Sequence, residues 1–142
     1  MNPTSQIRAA GLADIPSMHR IRLAVRENEL SDPGRVGEDD YRDFVDASSG
    51  WVAETSAGLA GFAIVDLARA TVWALFVSPE FEGQGLGTAL HDHMIDWARV
   101  QRITKLSLST GPGTRAERFY RRHGWQEAGG TPSGEVRFKR RP

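Results

Sequence analysis

Val77-Ser78-Pro79-Glu80-Phe81-Glu82-Gly83-Gln84-Gly85-Leu86-Gly87-Thr88-Ala89-Leu90 is the stretch that decides how this chain folds. The apolar run Val72-Trp73-Ala74-Leu75-Phe76-Val77 enters it, and apolar residues at helical spacing leave it. Three glycines at spacing two lie between. A strand that turns through glycines into a helix start gathers free backbone N–H groups at the positive end of a helix dipole. Such a cluster binds phosphate. Glycine lets the backbone turn tightly and approach an anion with no Cβ in the way. The other reading is a tight strand-to-helix turn that holds nothing.

The spacing narrows the choice of ligand. A dinucleotide fingerprint needs G-x-G-x-x-G early in a βαβ unit, with an acid about 20 residues on. Here the pattern is G-x-G-x-G, past the middle of the chain. A P-loop needs G-x-x-x-x-G-K-[ST], and no lysine follows these glycines.

Working outward, the 142 residues suit one domain with its own core. At 39% hydrophobic and 25% charged, the composition is that of an ordinary globular protein. Net charge is zero, so nothing draws the whole chain to nucleic acid or an anionic membrane. Charge is unevenly placed, however. Glu27, Glu29, Asp32, Glu38, Asp39, Asp40, Asp43 and Asp46 form an acidic region, while arginines crowd the C-terminal part from Arg115 to Arg141. Each run reads either as a solvated face or as a functional one, the acids greeting a cationic substrate and the arginines an anionic cofactor. The chain has no cysteine, which excludes a disulfide framework, a thiolate zinc site and a cysteine nucleophile. No apolar run approaches 18 residues, and no basic segment followed by an apolar one opens the chain. A cytoplasmic protein is therefore expected.

In chain order, Gln6 to Ala9 reads as a strand. Asp14 and Pro16 suit the cap and first turn of a helix on which Ile15, Met18, Ile21 and Val25 recur, ending near Asn28. Glu29 to Gly37 reads as a loop, and Glu38 to Asp46 as a short helix with Tyr41, Phe44 and Val45 on one side. Trp51 to Glu54, Leu59 to Leu67 and Thr71 to Val77 read as three strands joined by hairpins. The last lacks polar alternation and reads as central and buried on both faces. Leu86, Leu90, Met94 and Trp97 form the core stripe of the helix after the glycines. His91 and His93, two apart, do not face each other, so no metal site is expected. Ile103 to Ser109 alternates as a strand. Thr114-x-x-Glu117 reads as a capping box for a helix that stops at Gly124. Trp125 to Glu127 and Glu135 to Lys139 close the sheet.

Two of these stretches resemble the GNAT superfamily of acyl-CoA-dependent N-acetyltransferases. The first is Glu82-Gly83-Gln84-Gly85-Leu86-Gly87, similar to that family's [Arg/Gln]-x-x-Gly-x-[Gly/Ala], with Glu82 at the first position as a departure. The second is Ala116-x-x-Phe119-Tyr120-x-x-x-Gly124-Trp125, where Gly113 stands in place of the family's usual asparagine. The resemblance spans most of the chain. It implies a single α/β (α+β) domain over residues 1–142, a mixed, mostly antiparallel twisted sheet of about six or seven strands flanked by about four helices. It implies acetyl-CoA as co-substrate, with Phe76, Val77, Gly83, Gln84, Gly85, Leu86, Gly87, Thr88, Ala116 and Phe119 at its binding site, and no metal. It implies Tyr120 as the general acid that protonates the leaving thiolate. A backbone N–H on the strand ending at Val77 is the implied oxyanion donor. The implied acceptor is a primary amine of a small molecule or peptide; with no cysteine in the chain, direct attack without a covalent enzyme intermediate is expected.

No acid lies on Thr71 to Val77, so the base is sought among Glu29, Asp32, Glu54, Asp66 and a water relay. A homodimer is one assembly the resemblance allows. Nucleic-acid binding is not expected, because the arginines are not interleaved with stacking aromatics. The rival reading is an acyl-CoA-binding regulatory module without catalysis.

Overall fold

Alternation of small and branched apolar residues against polar ones produces a sheet whose strands follow the chain closely. The computed structural model describes residues 5–25 and 36–142. In order, its elements are β1 (Gln6–Ala9), α1 (Ile15–Ala24), α2 (Arg42–Asp46), β2 (Gly50–Thr55), β3 (Gly58–Asp66), β4 (Thr71–Val77), α3 (Leu86–Val100), β5 (Leu106–Thr110), α4 (Arg115–Arg122), β6 (Gln126–Gly130) and β7 (Val136–Arg140). Short 3-10 turns at Leu12–Asp14, Glu38–Tyr41 and Pro79–Phe81 lead into the segments after them.

The strands join one sheet in the order β1-β2-β3-β4-β5-β7-β6. Every pairing is antiparallel except β4 with β5, which run parallel. That parallel ladder holds a single registered pair, Thr71 with Ser107, at the start of β4. The antiparallel ladder of β4 with β3, by contrast, runs to Val77 opposite Gly61. From Val72 onward the β5 side of β4 is therefore not paired with β5.

This splay corrects the reading of β4 as buried on both faces. β4 is the central strand, but Ala74 alone on it is buried and its other residues are half-exposed. The apolar run fits a strand with a helical layer on each side and an open flank along one edge.

Two apolar layers hold the sheet. On one face α3 sets Leu90, Met94 and Ala98 against Trp51, Ala63, Leu106 and Phe138. On the other, α1 and α2 set Met18, Ile21, Tyr41 and Val45 against Val52, Phe62 and Ile64. Two helix boundaries differ from expectation. Asp14 does not cap α1 through its side chain. Its carboxylate instead takes bonds from Arg8 at 2.8 and 3.0 Å and from the Gly11 N–H at 2.8 Å, because the intervening 3-10 turn points it back at β1. And α1 ends at Ala24 rather than near Asn28, with Val25 extended at φ −81° and ψ 107°.

Candidate active site

Gly85 is where the strand-to-helix turn opens α3. It caps α3 in the left-handed region at φ +80°, two residues after Gly83 at φ +79°. L-residues with a side chain resist that conformation, so glycine permits the turn. The first helical bond runs from the Ala89 N–H to the Gly85 carbonyl at 3.0 Å. The N–H groups of Gly83, Gln84, Gly85, Leu86, Gly87 and Thr88 therefore have no acceptor among the described residues. Six consecutive donors at the N-terminus of a 15-residue helix form a strong local positive potential. Leu86 takes part through its backbone only, since its side chain is buried in the α3 core. Gln84 is exposed. The Thr88 hydroxyl already lies 3.0 Å from His123 Nε2.

The end of β4 adds a second element. Ser78 donates its N–H to the Ala60 carbonyl of the β3 side at 2.7 Å. Successive peptides of a strand point to opposite edges, so the Val77 N–H points to the splayed edge. The Val77 side chain packs toward α3 and that of Phe76 toward α1 and α2. The strand end thus offers one backbone donor flanked by an apolar group on each face.

The third element is α4. Thr114 caps it, accepting from the Glu117 N–H at 3.2 Å. The return arm of the expected capping box goes elsewhere: Glu117 Oε2 takes the N–H of Gly113 at 3.0 Å, one residue before the cap. That bond holds the Glu117 carboxyl below its usual pKa. Ala116 and Phe119 are half-buried beside the α3 core. Tyr120 is 6% exposed and packs edge-on against Phe119 and Trp125, at centroid distances of 5.4 Å each. No described residue hydrogen-bonds its hydroxyl, and the hydroxyl is not among the sealed polar atoms. Burial pushes its pKa well above the ordinary 10, so Tyr120 carries its proton at neutral pH.

The acid at the head of the glycine loop is matched. Glu82 forms an ion pair with Arg115 at the start of α4. Other residues of the arginine-rich end serve the fold: Arg121 bridges Glu117 and Glu127, and Arg140 donates to the His123 carbonyl. The described acids of the acidic region, Glu38, Asp39, Asp40, Asp43 and Asp46, are exposed. Glu27, Glu29 and Asp32 lie outside the described residues.

A pair of histidines behind the site was not anticipated as structural. His91 is buried on α3, and its Nε2 receives the Trp125 indole N–H at 2.9 Å. An indole N–H only donates, so Nε2 is bare and Nδ1 carries the hydrogen given to Asp92 at 3.0 Å. Burial lowers the pKa of His91. His123 stacks on Phe119 at 4.0 Å and donates from Nδ1 to the Phe119 carbonyl at 2.8 Å. The sequence signal for His91 was its place one turn after Gly87 and next to Leu90 on the buried stripe.

The acetyltransferase (GNAT) family model matches residues 16–125, from the first turn of α1 through Trp125. The chain belongs to the GNAT family. Comparison with curated proteins finds no match. Among solved structures the GNAT chain is similar to Ard1 from Thermoplasma volcanium, at TM-score 0.81 and 20% identity over 96% of this chain and 97% of that one. It is similar to the ribosomal-protein-S18-alanine N-acetyltransferase from Escherichia coli, at TM-score 0.72 and 22% identity over 96% and 91%. It also resembles the N-acetylglutamate synthase from Neisseria gonorrhoeae complexed with coenzyme A and N-acetyl-glutamate, at TM-score 0.75 and 23% identity. There it covers 99% of this chain and 36% of that one. At these identities the likenesses establish the GNAT fold.

Two candidate bases on the GNAT chain have other work. Glu54 is two strands from β4 and paired with Arg8 at 3.1 Å. Asp66 accepts from the Arg69 N–H at 3.2 Å, beside Thr71 and at the far end of β4 from Val77.

Proposed function

We propose that this GNAT protein transfers an acetyl group from acetyl-CoA to a primary amine of a small molecule or peptide by direct attack. The observation that carries this reading is the row of six acceptor-free N–H groups from Gly83 to Thr88. It suits a diphosphate: fixed donors at a helix N-terminus, no Cβ at Gly83, Gly85 or Gly87, and a cation, Arg115, alongside. The Glu82–Arg115 pair answers the departure at Glu82, because its charge is compensated before any anion arrives. Phe76, Val77, Ala116 and Phe119 supply the apolar walls on either side of the splay.

Placing a thioester beside an amine contributes several kcal/mol to lowering the barrier. A developing oxyanion needs a donor, and this reading assigns that part to the Val77 N–H at the splayed edge. Tyr120, protonated and buried, supplies the proton that the departing thiolate takes up. The amine must be neutral to attack. At a pKa of about 10.4 roughly one lysine-like amine in 2,500 is neutral at pH 7, so proton removal matters. Glu54 and Asp66 are engaged elsewhere, which favours a water relay among the described groups. Two of the similar structures are an alanine N-acetyltransferase and an N-acetylglutamate synthase; both act on amines, which supports an amine acceptor here.

Isothermal titration with acetyl-CoA and a thiol-release assay over an amine panel test this reading. Saturable binding with turnover on at least one amine is expected. Binding without turnover on any amine would favour the regulatory module, and no binding at millimolar acetyl-CoA would defeat both.

A further inference from the structure

The face of the sheet covered by α1 and α2 carries a charged group that the mechanism above does not use. Arg22 sits in the last turn of α1, one helical turn after the buried Met18. Its guanidinium carbon lies 4.8 Å from the Trp73 ring centroid and 5.3 Å from that of Phe76. Tyr41 and Phe44 close round the same indole, at 5.1 and 4.9 Å. His19 Nδ1 holds the Tyr41 hydroxyl at 3.0 Å; burial raises the pKa of that hydroxyl, and Arg22 acts on it too, opposing the rise. Arg22 Nη1 is buried and has no hydrogen-bond partner; among the described residues it is the one side-chain polar atom in that condition. Aromatic faces satisfy the charge of a guanidinium but not its N–H vectors. Buried polar atoms are nearly always paired, so this one calls for an explanation.

The fold indicates what kind of acceptor that N–H would meet. Arg22 is on the α1 face, whereas the glycine loop opens α3 on the opposite layer, so the cofactor's phosphates are not its counterpart. No ion pair of the described acids includes it: Asp40 is spent on the Gly37 N–H, Asp39 faces Arg42, and Glu54 and Asp14 hold Arg8. Phe76, under the guanidinium, immediately precedes Val77, whose N–H faces the splay. A small anionic group on Arg22 would therefore leave the rest of its molecule beside the end of β4. A planar guanidinium between aromatic rings recognises a planar oxyanion by directional N–H bonds.

We propose that Arg22 anchors a carboxylate of the acceptor, so that the acceptors are amino-carboxylic acids and not simple amines. The proposal rests on the acetyltransferase reading above and names the substrate class of that site. An acceptor held this way is bound by its carboxylate on Arg22 and presents its amine at Val77.

The test uses the full chain, wild type and the variants Arg22→Met and Arg22→Lys, with melting curves to verify folding. Methionine keeps an unbranched apolar stem on the rings, and lysine keeps the charge without the fork. Binding is measured by saturation-transfer NMR in the presence of coenzyme A, which does not depend on turnover. The probes are the N-acetyl forms of alanine, leucine, glutamate and arginine, each with its α-carboxamide. Thiol release is then measured with the unacetylated pairs. Wild type should prefer at least one acid over its amide by roughly 10- to 100-fold, the worth of one charge-assisted hydrogen bond. Arg22→Met should abolish that preference, and Arg22→Lys should keep a fraction of it. Equal binding of acids and amides by wild type, a preference that survives Arg22→Met, or binding of none of the acids would overturn the anchor whatever the turnover. Arg22-dependent binding of the acids with no turnover of any amine would instead count against catalysis and keep the anchor.

Discussion

The Glu82 carboxylate meets the Arg115 guanidinium across the gap between the glycine loop and the start of α4. The pair joins the glycine-loop motif to the α4 motif. Both partners are substantially exposed, at 40% and 60%, so the pair adds little to stability. Its effect falls on the local potential at the glycine loop, where the proposed function seats a diphosphate.

Arg115→Gln therefore leaves Glu82 uncompensated beside the six N–H donors. Acetyl-CoA affinity should fall by roughly 3- to 10-fold, and the loss should shrink as salt is raised. Glu82→Gln should raise affinity in low salt. Titration calorimetry at two ionic strengths checks both, with melting temperatures nearly unchanged.

Gly85→Ala places a side chain on a residue at φ +80°. No atom lies within 4 Å of the added Cβ, so the cost is conformational, about 1–2 kcal/mol, and acetyl-CoA binding should weaken with it. Gly87→Ala is the control. Its Cβ would meet Phe119 at 3.5 Å, an ordinary contact, and its φ is not positive. Denaturant midpoints should separate the two, with Gly85→Ala the less stable.

Tyr120→Phe removes a hydroxyl that no described residue hydrogen-bonds, so folding should be little affected. If the hydroxyl is the general acid, kcat should fall about 100-fold with little change in acetyl-CoA affinity. The pKa shift has a definite sign. A general acid works while protonated, and burial raises the pKa, so loss of the Tyr120 proton should not limit kcat below pH 10. A wild-type limb between pH 8 and 9.5 that disappears in Tyr120→Phe would contradict the raised pKa, and an unchanged kcat in Tyr120→Phe would remove the hydroxyl from the acid role.

His91→Phe leaves the Trp125 indole N–H without its acceptor, at about 1–3 kcal/mol. The pH dependence follows from the lowered pKa of His91, caused first by burial and opposed by the bond to Asp92. Below the ordinary value of 6.5 the unfolded chain takes up a proton that the folded one refuses. The His91 contribution is thus whole above pH 6.5 and declines as pH falls toward the folded pKa. Urea unfolding at pH 7.5 and 5.5 should show a larger acid loss in wild type than in His91→Phe.

Much of this was legible in the chain. Strand alternation marked each hairpin, Thr114 and Gly124 marked the ends of α4, and the glycine spacing marked the helix start. These signals are local: one residue's φ preference, one cap, one period. The misreadings were of another kind. The apolar residues of β4 read as doubly buried because hydropathy does not record that β5 leaves after a single pair at Ser107. Asp14 read as a cap because its partner Arg8 comes from a different element. His91 read only as half of a metal pair that could not form, because its partner Trp125 is 34 residues away.

By itself, then, the sequence determined the order of elements, the turn at Gly83 to Gly87 and the tyrosine on α4, since each depends on neighbours within a few positions. Only the tertiary structure decided that β4 opens toward β5, that Arg115 neutralises Glu82, and that Arg22 lies over Trp73 and Phe76 with a donor to spare. Those facts depend on distances between segments far apart in the chain, set by how two apolar layers close on one sheet.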